Sequence, residues 1–180
     1  MMPIGPLMIE HRLIEKMIEI LRIEVDRIAY SKTTDPVLLD SAVDFIRTYA
    51  DRTHHGKEEE ILFRDLAIKD LSSEDRKLMD ELINEHISTR QTVSDLVSAK
   101  ERYLKGDAGA LETIAEQLKV LIDLYPVHIE KEDNVFFRSS MKYFTRSEQD
   151  AMLEEMQAFD RMMIHEKYKA LVAYIGQRGV

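Results

Sequence analysis

A chain of 180 residues with a net charge of −9 and no cysteine has the length of one domain, with no basic stripe for a nucleic-acid partner. Without cysteine there is no disulfide, no thiolate zinc site and no cysteine-ligated iron–sulfur cluster. No apolar run approaches ~18 residues and the first residues lack the pattern of a signal peptide, so a soluble, cytoplasmic protein is expected.

Glycine and proline are sparse while Glu, Lys, Leu, Ile and Met are frequent, which favours an all-α chain. The first helix carries a seam of Leu7, Ile14, Ile18, Leu21, Val25 and Ile28, with His11 filling the remaining place. Asp35-Pro36 then marks a helix start, and the second helix is expected from about Val37 to about Leu66. Ser72 and Ser73, followed by Glu74 and Asp75, open a third helix. Its seam of Met79, Leu82, His86, Val93, Leu96 and Leu104 ends at Gly106-Asp107-Ala108-Gly109. The fourth seam reads Leu111, Ile114, Leu118, Leu121, Tyr125, His128, Glu132 and Val135, with Pro126 expected to bend the helix. Thr145-x-x-Glu148 is a capping box that opens a fifth helix. The expected architecture is an up-down-up-down four-helix bundle over residues 1–140, with residues 141–180 forming an additional C-terminal helix packed on it.

One pattern occurs twice. His54-His55-Gly56-Lys57-Glu58-Glu59-Glu60-Ile61-Leu62-Phe63-Arg64 is echoed 74 residues later by His128-Ile129-Glu130-Lys131-Glu132-Asp133-Asn134-Val135-Phe136-Phe137-Arg138. Glu10-His11 is likewise echoed by Glu85-His86, 75 residues on. Each half of the chain therefore supplies two histidines and one carboxylate at matching places. Glu58 and Glu132 lie one turn beyond His54 and His128 on the same helix face. Unpartnered carboxylates on apolar stripes are costly, so these two need a compensating cation.

The turns test whether the histidines can meet. In an antiparallel hairpin, residues equidistant from the turn lie at one height. The midpoint of His11 and His54 falls between Lys32 and Thr33, that of His54 and His86 at Asp70, and that of His86 and His128 at Asp107. All three midpoints fall in or beside predicted turns, which puts the four histidines at one level of the bundle. Four imidazoles and two carboxylates suit two first-row metal ions, each with two histidines and with Glu58 and Glu132 bridging. An oxo or hydroxo bridge would leave an open position for oxygen, nitric oxide or peroxide. Iron fits this donor set best, with zinc or manganese as other occupants.

The pattern His11, His54-x-x-x-Glu58, His86, His128-x-x-x-Glu132 resembles the hemerythrin-like, HHE cation-binding family over roughly residues 7–138. The resemblance implies a four-helix bundle with a non-haem di-iron centre that binds or senses a small diatomic molecule or oxidant. Oxygen-carrying hemerythrins have His-x-x-x-His on the third helix, whereas here the second position is Arg90. The missing fifth histidine turns the expectation from reversible oxygen carriage toward nitric oxide, peroxide, sensing or the repair of damaged iron centres. An enzyme of nitric oxide or peroxide reduction, and a structural zinc bundle, are the other two readings.

Neighbouring residues carry expectations of their own. At about 100° per residue, His55 points away from His54, toward the surface or the outside of the site. Glu59 and Glu130 read as solvated. A register slip of one would exchange His54 and Glu58 for His55 and Glu59, although the matching Lys57 and Lys131 support the first register. Asp133 is an alternative to Glu132. His165 lies at the same level by the midpoint rule, so it and Arg90 are candidates for a further ligand or a hydrogen-bonding neighbour of one. Met152, Met156 and Met163 are spaced for packing.

Overall fold

The computed structural model describes residues 2–177, and of the side chains between 164 and 177 only that of Lys167. Helix α1 is Ile4–Ser31. It stops where Lys32 turns left-handed, with φ 56°, and returns its N–H to the Ile28 carbonyl at 3.0 Å. Buried Glu24 then pulls the loop against α1, accepting from Thr34 Oγ1 at 2.6 Å and from the Asp35 N–H at 3.1 Å. Asp35 Oδ1 accepts the N–H groups of Val37 and Leu38 and so caps α2, which spans residues 36–67. Helix α3 is Ser73–Leu104, capped by Ser72 and followed by Gly106 at φ 86°. Helix α4 covers residues 110–140, and a 3-10 turn at Met141–Tyr143 leads to α5, Arg146–Gln177. The Thr145–Glu148 capping box forms as expected, with Thr145 N donating to Glu148 Oε2 at 2.7 Å and Glu148 N to Thr145 Oγ1 at 3.3 Å. Among the described residues there is no strand, and no helix is long and apolar enough to cross a membrane.

Helix α1 packs on α2 and α4, and α3 packs on the same two, closing an up-down-up-down bundle; α5 lies along α2. The apolar interior is in two pieces. One is built on residues such as Ile18, Leu21, Leu39, Leu96 and Leu118. The other holds Leu7, Leu62, Leu82 and Phe136, and α5 contributes Met152, Met156 and Met163 to it, in the packing role expected of them. Each fully buried aliphatic side chain stabilises by about 2 kcal/mol. The layer between the two pieces is polar.

Two helices change pitch where the duplicated pattern lies. In α2, Ile46–His55 and Glu58–Phe63 are π-helical, and in α4 so is Glu132–Phe136. A π turn bonds i to i+5, so successive side chains are closer around the axis than in an α-helix. Helix α4 runs through the exposed Pro126 and becomes irregular only at Glu132.

Asp75, at the start of α3, fixes that helix against the corner between α4 and α5. It accepts from Ser139 Oγ at 2.6 Å, Tyr143 Oη at 2.5 Å and Ser72 Oγ at 2.9 Å, with Lys142 at 3.0 Å. Burial raises its pKa, but these donors outweigh burial and hold the carboxyl well below its ordinary range. A depressed folded pKa gives stability that is present above the unfolded value near 4 and lost as pH falls through the folded one. Asp75→Asn is therefore expected to cost about 2 kcal/mol in urea melts at neutral pH. The gap from wild type should shrink below about pH 4; a gap independent of pH would rule out this carboxylate as its source.

Gly56 marks where α5 sits on α2, since a Cβ there would lie 2.9 Å from Phe159 Cζ and 3.2 Å from Cε1. Gly56→Leu should push α5 outward at a cost of about 1–3 kcal/mol. Limited proteolysis would then cut between α4 and α5 faster than in wild type, and equal cutting would mean that α5 is held without this contact.

Candidate metal centre

Seven side chains fill the polar layer: His11 from α1, His54, His55 and Glu58 from α2, His86 from α3, and His128 and Glu132 from α4. None is more than 2% exposed. The turns bring the four predicted histidines to one level, and the two predicted acids lie between them. Glu58 faces both halves, with Oε1 3.4 Å from His54 Nε2 and Oε2 3.5 Å from His86 Nε2. Glu132 does the same, with Oε2 3.1 Å from His11 Nε2 and Oε1 3.3 Å from His128 Nε2. His11 and His54 meet at 2.8 Å between their Nε2 atoms.

The inward nitrogens are turned there by a second ring of acids. His11 Nδ1 pairs with Asp133 at 2.7 Å, His54 Nδ1 with Glu10 at 2.8 Å, His86 Nδ1 with Glu59 at 2.7 Å and His128 Nδ1 with Glu85 at 2.7 Å. Each acid is held in turn by a cation: Arg12 on Asp133, Lys57 on Glu10, Arg90 on Glu59 and Lys131 on Glu85. Such a carboxylate fixes the ring and its tautomer and leaves Nε2 as the donor to a metal. The motif phenylalanines fix the same rings from the side. Phe137 stacks on His11 at 5.7 Å and Phe63 on His86 at 6.0 Å.

Charge explains what the layer lacks. The four outer acids have cations, but Glu58 and Glu132 do not. Among the described residues no hydrogen bond reaches any of their four oxygens, nor His86 Nε2 or His128 Nε2. Burial, and then the neighbouring Glu132, push the Glu58 carboxyl well above its usual range, while Glu132 is held low against burial by His128 and His11. Burial also opposes protonation of His11, yet Asp133 and Glu132 raise it to about 9, so a proton stands in for part of the missing positive charge. Burial, and then the imidazoles beside them, hold His54 and His55 neutral. Two groups of donor atoms each lie within 4.8 Å of one another: His11, His54, Glu58 and Glu132 in one, and His55, His86 and His128 in the other. Orphaned, inward, oxygen and imidazole donors fit a metal cation.

Several neighbours lie elsewhere than expected. His55 is buried at 1% exposure, with its ring stacked on His86 at 3.8 Å. The expectation of an outward His55 assumed 100° per residue, whereas the π turn brings consecutive residues inward together. Glu59 is the acid behind His86, not a solvated one, whereas Glu130 is exposed as expected. Asp133 sits behind His11, leaving Glu132 as the inner acid. Arg90 does not point at the layer; it joins Asp51 at 2.7 Å and Glu59 at 2.6 Å, outside it. The His165 side chain lies outside the described residues. The outer acids had a signal in the repeat, because Glu10 matches Glu85 and Glu59 matches Asp133.

No curated protein and no solved structure matches the chain significantly. A family model described as the hemerythrin HHE cation binding domain does match, over residues 2–139. With that match joined to a buried layer of histidines and acids lacking only positive charge, the chain belongs to the hemerythrin HHE family and is a cation-binding protein.

Proposed function

We propose that the protein is a non-haem di-iron protein that binds or senses a small diatomic molecule or oxidant. His11, His54, His86 and His128 are its terminal ligands in this reading, and Glu58 and Glu132 bridge. One observation carries it: each unpaired buried carboxylate offers one oxygen to each pair of histidines. Mixed nitrogen and oxygen donors favour iron over the closed, four-coordinate sites typical of structural zinc. Iron there would supply reversible binding or reduction of the small molecule. The chain's own residues exclude water, orient the rings and balance charge.

Burial supports a small ligand. The whole layer is at or below 2% exposure, so these side chains are closed to a bulky molecule. A surface cavity of about 560 Å³, lined in part by Asp51, Gly56, Glu59 and Arg90, reaches the acids behind His55 and His86.

Metal analysis with visible spectra, on protein from iron-supplemented cells, tests this reading. Iron filling both donor groups is expected, with a spectrum that changes on adding oxygen or nitric oxide. A colourless protein with one inert zinc would overturn it. His54→Ala and Glu132→Ala should each lose at least one ion, and full retention in both would remove these residues from the ligand set. At free metal a thousandfold above Kd the bound ion stabilises by about 4 kcal/mol, so chelation should lower Tm by roughly 10 °C.

The outer acids make a separate prediction. Glu59→Gln and Asp133→Asn occupy matching places in the repeat, and each should weaken metal binding by about ten- to hundredfold through ring orientation. Isothermal titration of the apoprotein measures this, and unchanged affinity would show that the rings are held without them.

A further inference from the structure

We infer that His55 is a fifth imidazole ligand, joining His86 and His128 on one ion and leaving the His11–His54 ion with two. This rests on the two-metal reading above.

The repeat provides the first argument. His55 corresponds to Ile129 in the second half, a core residue at 3% exposure. One half thus carries an imidazole where the other carries an aliphatic side chain. A buried imidazole costs stability unless its nitrogens find partners, yet among the described residues His55 Nδ1 has only the 3.4 Å approach of Asp51 Oδ1, which is not a hydrogen bond.

Geometry provides the second. A donor atom of His55 lies within 4.8 Å of those on His86 and His128, its ring is 8° from parallel to His86, and it meets His128 edge-on at 5.8 Å.

The third argument is the chain of ring, acid and cation that backs every other histidine of the layer. His55 Nδ1 faces Asp51 Oδ1 at 3.4 Å, and Asp51 is held by Arg90 Nε at 2.7 Å. The other arm of Arg90 holds Glu59, behind His86. One guanidinium therefore braces two adjacent imidazoles.

The consequence is an unequal pair of ions, one rich in nitrogen and the other with fewer protein donors. Anaerobic ferrous titration of wild type and His55→Gln, with Mössbauer spectra of the loaded proteins, tests this. Wild type should bind two ions that give inequivalent signals, and His55→Gln should bind the second about a hundredfold more weakly. Two ions in His55→Gln with wild-type affinity and spectrum would overturn the role of His55 while leaving the two-metal reading intact. Fewer than two ions in wild type would overturn both. Apoprotein melts establish first that the variant folds. If it does not, Asp51→Asn takes its place: a ten- to hundredfold loss for one ion is expected, and no loss overturns the inference.

Discussion

Two carboxylates in the middle of a four-helix bundle, with no hydrogen bond to their oxygens among the described residues, set the terms for everything around them. Each buried ion of this kind carries a desolvation penalty of several kcal/mol unless opposite charge is close. Without a cation it is relieved by protons, one kept on His11 by Asp133 and Glu132 and one favoured on Glu58, whose carboxyl burial pushes well above its usual range. The packing reflects the same constraint. The apolar interior is split into two clusters, because a layer of seven polar side chains cannot be covered by a continuous core. Each cluster seals one side of the layer from water, and that strengthens the demand for a cation inside it.

The outer ring is built so that it does not add to this demand. Each acid that orients an imidazole is held by a lysine or arginine, and the inner pair is left without one. The arrangement is duplicated but unequal. Lys131 is partly exposed between Glu81 and Glu85, whereas its counterpart Lys57 is fully buried between Glu10 and Asp160 of α5. The fifth helix is thus tied to the polar layer through three groups in series: Asp160, Lys57 and Glu10, the last on His54. Its docking also seals the outer face of α2, where residues 54–58 are all buried.

Much of this was legible in the sequence, for a physical reason. Turn chemistry at Asp35-Pro36, Ser72 and Gly106 is local, and three turns with a helical rise are enough to fix which residues share a height. A repeat of identical residue types then gives both inner acids and all four inward histidines. What was not legible depends on pitch. His55 and Glu59 were assigned from an α-helical step, and the π turns of α2 alter that step at these residues. Composition does not signal a π turn; the burial of five consecutive residues does, and that exists only once α5 is in place. Arg90 is legible only as a charged donor near the site; which groups it meets, two carboxylates outside the layer, depends on the packing of α2 against α3.

Duplication places each inner acid between histidines of both halves, and departures from it make the two sides unequal. A symmetric pair of helical hairpins places two equal histidine pairs about two equal acids, and gives a bound molecule no reason to prefer one side. The chain breaks that equality at two places that are neighbours in space: His55 stands for Ile129, and Arg90 holds two acids on the same side. α5 breaks it on the His54 side by burying Lys57. The common frame supplies two groups of donor atoms that could hold a cation, and these local differences make the two halves chemically distinct.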